Sequence, residues 1–193
     1  MACAITSGRK VPCKSAFGGI KAVYFCNYGD IASTTIDADQ TISAITMTGS
    51  TLFFQYDVKG NSSLETTITS SRDNGTTFYT QTLNLTLPYL DAGTRAEVQL
   101  LAAGRPQMVV EDYYGNQFLC GYENGMDLTG GTIVTGAAAG DLSGFTLTME
   151  GMEEVSPYFI DSGVFPASLV SDTQITPTGA WCFFWFKIKT LLR

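Results

Sequence analysis

The chain contains no histidine. That absence removes the commonest general base, the usual switch near neutral pH and the commonest metal ligand. It also excludes Ser–His and Cys–His nucleophile pairs. Basic residues are scarce. With 11 Lys and Arg against 18 Asp and Glu, the formal net charge is −7 over 193 residues, which disfavours binding of phosphate backbones through a basic surface. Long apolar runs are missing as well. The densest, residues 181–186, is far shorter than the roughly 18 residues of a membrane span, and no apolar h-region opens the chain. The expectation is therefore no membrane anchor. The five cysteines (Cys3, Cys13, Cys26, Cys120, Cys182) are scattered and form no CxxC, so neither a zinc ribbon nor a thioredoxin motif is indicated. They read as reduced thiols of a protein made in a cytoplasm.

Motifs for cofactors are equally scarce. Gly130-Gly131 and the 136–140 segment lack the Lys-Ser/Thr of a phosphate loop and read as turns. Asp37-Ala38-Asp39 and Asn124-Gly125-Met126-Asp127 do not continue as calcium loops. Eighteen acids make some facing carboxylate pair, such as Glu153 and Glu154, unavoidable by chance, so a carboxylate hydrolase has little support. No cofactor and no metal are expected, and the chain reads as a non-enzyme.

What is present is β chemistry. The sequence has 25 threonines, 45% hydrophobic and 12% aromatic residues, and only 15% charged residues. Threonine suits strands better than helix interiors. The length fits one domain over residues 1–193 with a sizeable core. An irregular, locally basic arm (Arg9, Lys10, Lys14) covers residues 1–17. A strand follows over 20–26. Residues 27–50 are polar and poorly periodic and read as a long loop, or as a loop holding a short strand near 42–47.

From 51 to 87 the alternation is clear: Leu52, Phe54, Tyr56, Val58; then Leu64, Thr66, Ile68; then Tyr79, Leu83, Leu85, Leu87. Asp73-Asn74-Gly75 signals a hairpin with a type I′ turn. The pattern reads as a three-strand antiparallel meander ended by Pro88. One helix is expected over 91–103, capped by Asp91 or Thr94 and closed by Gly104. Strands are expected over 107–111 and 117–121, joined by Tyr113-Tyr114-Gly115-Asn116, and over 132–135 and 145–150. Residues 151–179 read as loop with local extended pieces. The last strand, 180–189, is apolar on both faces and must be central in a sheet or covered by another subunit. The expected fold is mainly β, an antiparallel β-sandwich or partly closed barrel with one flanking α-helix and long loops.

Charge is segregated. Between Arg105 and Lys187 no Lys or Arg occurs, while Glu111, Asp112, Glu123, Asp127, Asp141, Glu150, Glu153, Glu154, Asp161 and Asp172 all fall there. Such a surface is a solvated acidic face, or one that lets DNA pass without sticking or that complements a basic partner.

Three segments carry a family resemblance. They are Gly18-Gly19-Ile20-Lys21-Ala22-Val23-Tyr24-Phe25, the stretch from Tyr114-Gly115-Asn116-Gln117-Phe118-Leu119-Cys120-Gly121 to Gly130-Gly131, and Gly140-Asp141-Leu142-Ser143-Gly144-Phe145-Thr146-Leu147-Thr148-Met149-Glu150-Gly151. Their order and pattern resemble bacteriophage tail tube and tail-ring virion proteins over residues 18–26 and 80–160. The resemblance implies a structural subunit of the tail or neck, assembled in the host cytoplasm. It implies a homo-oligomeric ring of six or twelve copies whose sheets join into an inner barrel, next to other tail or neck proteins. It also implies an acidic lumen through which DNA passes without specific binding; the acids assigned to it are Asp127, Asp141, Glu150, Glu153 and Glu154. Loops such as 27–50 or 59–62 would reach the adjacent ring. The subunit interface is placed at Trp181, Phe183, Trp185 and Phe186. The alternative from another class is a carbohydrate-binding or host-recognition module of a virion, with Tyr113 and Tyr114 stacking on sugar.

Overall fold

The structure, a computed structural model, describes residues 9, 17–58, 61–161, 163–165, 167–171, 173 and 175. The expected C-terminal strand over 180–189, with Trp181, Phe183, Trp185 and Phe186, lies outside the described residues, as does nearly all of the arm over 1–17.

The protein is mainly β. Eleven strands are described: β1 Ile20–Cys26, β2 Ile31–Ile36, β3 Thr41–Met47, β4 Phe54–Asp57, β5 Ser63–Ser71, β6 Thr76–Pro88, β7 Gln107–Asp112, β8 Gln117–Cys120, β9 Asp127–Val134, β10 Gly144–Glu153 and β11 Tyr158–Ile160. One helix, α1 Ala92–Ala103, lies between β6 and β7. A seven-stranded sheet has the order β2-β3-β11-β8-β7-β1-β4, and a four-stranded sheet has the order β5-β6-β10-β9. The larger sheet is mixed, because β11 runs parallel to β3.

The core between the sheets follows from alternation. On β6, Leu83, Leu85 and Leu87 are buried, and directly beside them on β10 lie Met149, Leu147 and Phe145. They pack against Ile20, Val23 and Phe25 of β1, Met108 and Val110 of β7, and Val58. A second cluster fills the other face of the seven-stranded sheet, around Tyr24, Ile42, Phe53, Val109, Leu119 and Phe165. The sheet curls over this cluster, which explains why β1 and β7 are apolar on both faces.

The helix keeps the expected ends. Asp91 Oδ2 accepts the N–H groups of Gly93 (2.8 Å) and Thr94 (3.3 Å), and Gly104 N–H donates to Leu100 O at 3.0 Å. Val98 and Leu101 rest on the core, but no helical residue is fully buried.

Several expectations are corrected. Residues 27–50 hold a β2–β3 hairpin rather than a long loop; the short strand read near 42–47 is β3, and β2 is the strand not foreseen. Two register shifts, between Ile31 and Ser33 and between Thr35 and Ile36, break the period-2 pattern. The turn also places Gln40 at φ 61°, where glycine or asparagine would have signalled it. The meander over 51–87 is a two-strand hairpin only. β4 pairs with β1 in the other sheet, in register Val23 with Tyr56 and Phe25 with Phe54, and Val58 is buried between the sheets. Alternation marks a strand but does not say which edge it joins. The Asp73-Asn74-Gly75 turn is a four-residue link in which only Gly75 has positive φ (63°), so it is not type I′. Gly130 and Gly131, read as a turn, lie inside β9. A Cβ on Gly131 would come within 2.7 Å of Thr146 O, so close strand packing demands glycine there.

Candidate functional site

The four-stranded sheet has one face on the core and one facing outward. Partners in an antiparallel ladder point the same way, so register defines the outward set. Leu64 packs inward, so Ser63, Glu65, Thr67 and Thr69 of β5 point out. Beside them on β6 stand Asn84, Thr82, Thr80 and Phe78. Next on β10 come Thr148, Glu150 and Met152, with Thr146 opposite Thr86. Thr132 and Asp127 of β9 complete the face, opposite Thr146 and Glu150. The result is a hydroxyl-dense surface. Its side chains bond to one another: Thr132 and Thr146 hydroxyls lie 2.6 Å apart, and Thr148 Oγ1 donates to Asn84 Oδ1 at 2.9 Å.

A row of carboxylates crosses this face. Register aligns Glu65 with Thr82, Thr82 with Glu150, and Glu150 with Asp127. Like charges directly opposite on neighbouring strands repel. Arg105 relieves this from outside the sheet, its Nε lying 3.4 Å from Asp127 Oδ1 while its guanidinium stacks 5.8 Å over the Tyr28 ring. None of the four strands contains Lys or Arg.

The proposed acidic residues therefore divide. Asp127 and Glu150 meet on the outward face. Glu154 is exposed just beyond β10, at a cleft of about 340 Å³ shared with Thr77, Phe78, Asn124 and Met152. Asp141 sits at the opposite end, in the β9–β10 link, where its Oδ2 accepts the N–H groups of Ala137 (3.0 Å) and Ala138 (2.7 Å). Those two bonds hold its carboxyl below the ordinary range. Glu153 is corrected: it is 3% exposed and points inward, so it is no surface residue. Its Oε1 accepts the backbone N–H groups of Glu123 (3.2 Å) and Asn124 (2.9 Å). Glu65 was missed because it lies before the acidic half of the chain; only register brings it into the row.

Among the described residues the sheet also has two open edges, β5 and β9. Each carries an exposed isoleucine of inward parity. Ile68, opposite Tyr79, is 63% exposed, and Ile133, opposite Phe145, is 62% exposed. Beneath β9, Val98, Leu128, Gly131, Ile133 and Leu147 line an apolar groove of about 290 Å³. Neither edge has a proline or lysine, the usual devices that block further pairing.

Elsewhere, polar groups serve the fold. Buried Glu111 accepts from Lys21 Nζ and from Tyr24 Oη (2.8 Å). Burial first, and then Glu111, holds the Tyr24 hydroxyl well above its usual range. Burial pushes the Cys26 thiol up to about 12 and raises Cys120 further, so both are poor nucleophiles at neutral pH. Tyr113 and Tyr114 do sit exposed at the β7–β8 tip, and Phe17 packs edge-on to Tyr113 with centroids 5.5 Å apart. Among the described residues no cluster of three or more His, Cys, Asp or Glu is arranged to hold a metal ion, and no helix is long and apolar enough to cross a membrane.

Comparison with protein-family models, with curated proteins and with solved structures finds no match for this chain.

Proposed function

We propose that the protein is a non-catalytic structural subunit of a phage tail or neck. In this reading it forms a ring by joining its four-stranded sheet edge to edge with identical copies, and DNA passes along the outward face. One observation carries the reading. The sheet has an even number of alternating strands, so its open edges β5 and β9 run in opposite directions. Copies in the same orientation can then pair β9 of one with β5 of the next as a regular antiparallel ladder, a head-to-tail contact that generates a ring when the rotation per copy closes.

Three features support it. Joining would cover Ile68 and Ile133, both exposed in the single chain, and would seat apolar side chains over the groove beneath β9. The outward face has hydroxyls, three carboxylates and no cation in its strands, so no positive charge there attracts phosphates. The Glu65–Glu150–Asp127 row would become a continuous acidic belt. Electron microscopy of the purified chain tests the reading: closed rings or stacked tubes are expected, and a protein that stays monomeric at high concentration overturns it.

A further inference from the structure

Residues 121–126 carry the chain from β8 in one sheet to β9 in the other. The segment is tied down at many of its backbone groups. Gly121 N–H donates to Gln81 Oε1 (3.0 Å), and Gln107 Nε2 donates to Tyr122 O (2.6 Å). Tyr28 Oη donates to Glu123 O (2.6 Å), Gly125 N–H to Gly121 O (3.1 Å), and Met126 N–H to Pro106 O (3.0 Å). The amides of Glu123 and Asn124 both go to the Glu153 carboxylate.

That carboxylate is weakly compensated for a group 3% exposed. Its donors are two neutral amides, both on Oε1, while Oε2 lies 3.4 Å from the Glu123 nitrogen alone. The nearby cation, Arg105, is engaged with Asp127 and Tyr28. Among the described residues, the other groups facing Glu153 offer no positive charge. They are the Cys120 thiol at the end of β8, Glu123 on the loop, Tyr158 of β11, Tyr79 opposite on β6, and Glu154 beside it on the chain. A buried charge with only two neutral donors and acidic neighbours takes up a proton more readily than one in water.

We propose that closing the 121–126 loop onto Glu153 takes up a proton, so this crossover is a pH-responsive latch between the two sheets, tighter in mild acid than at neutral or alkaline pH. The direction follows from linkage. With the loop open, Glu153 is solvated and titrates in the ordinary glutamate range. With the loop closed, burial lifts it above that range, the loop amides and the charge of Arg105 opposing the rise and the charge of Glu123 reinforcing it. Between the two values the closed form binds more protons, so closure weakens as pH rises through the window and is weakest above it. The latch is a property of the single chain and does not depend on ring formation.

Amide hydrogen exchange on the full chain tests this. After correction for the intrinsic pH dependence of exchange, protection of Glu123 and Asn124 should fall as pH rises from mild acid to mild alkali. In E153Q, a neutral carbonyl acceptor of the same shape, protection should stay level, and E154Q should behave like the parent. A protection that is flat or rises with pH in the parent chain, or an E153Q slope equal to it, overturns the proposal. Should E153Q fold poorly, carbon NMR titration of the parent Glu153 carboxyl decides alone. A midpoint above the ordinary glutamate value is expected, and a midpoint at or below it overturns the latch.

Discussion

Glu111 shows how a buried charge is made tolerable at the scale of one residue. Lys21 reaches it from a largely exposed position, and Tyr24 donates to it from inside the second core cluster. Removing the acceptor frees Lys21 to turn to water but leaves the Tyr24 hydroxyl buried without its partner. E111A should therefore lower stability by about 2 kcal/mol in chemical denaturation; a cost near zero would mean that Tyr24 finds another acceptor. Asp141 gives a case of opposite sign to Glu153. Its carboxyl is held below the ordinary value by two amides, so its hold on the link is full above that value and is lost as pH falls through the lowered one. D141A should speed exchange of the Ala137 and Ala138 amides at neutral pH, with parent and variant converging only in strong acid. The same speed at neutral pH in both would contradict the assigned role. Neither partnership could be read from sequence. Lys21 and Glu111 are 90 positions apart, and only the β1–β7 register joins them.

Among the elements, β6 and β10 are the most legible from sequence. Leucines at every second position of β6, and Phe145, Leu147 and Met149 on β10, predict both the strands and the buried faces. The helix was legible from Asp91 and Gly104. β2 and β4 were not. Bulges and a positive-φ glutamine conceal β2, and the partner of β4 is decided by long-range packing that periodicity cannot encode. The candidate face was half legible. The acidic segment was visible as a run without Lys or Arg, but the threonine lattice and Glu65 needed register, and Glu153 needed burial to be placed inside. Edges β5 and β9 carry the sharpest prediction here. I68K and I133K each alter an exposed side chain, so each should leave monomer stability within about 0.5 kcal/mol of the parent. Both should abolish larger assemblies in sedimentation. Assembly that survives both changes would remove the sheet edges from the interface.

At the scale of the whole molecule, the proposed ring would have to leave room for a duplex. Six copies would contribute about 24 strands; spaced about 4.8 Å apart, they make a circle about 37 Å across before tilt widens it. Barrels of sixteen to eighteen strands already enclose an aqueous channel. The missing histidine and the net charge of −7 suit a protein that assembles and then stays out of the way of DNA. The aromatic tail lies outside the described residues, but its composition still carries an expectation. Truncation after Ala180 should block assembly while leaving the two-sheet core folded by circular dichroism, whereas full assembly without the tail would show that the sheet edges suffice.

Imaging the purified full-length chain by electron microscopy tests the central claim most directly. Closed rings with an open centre, with the four-stranded sheets joined β9 to β5 around the lumen, are the predicted result. Monomers at every concentration, or rings whose inner wall is built from other elements, would contradict it.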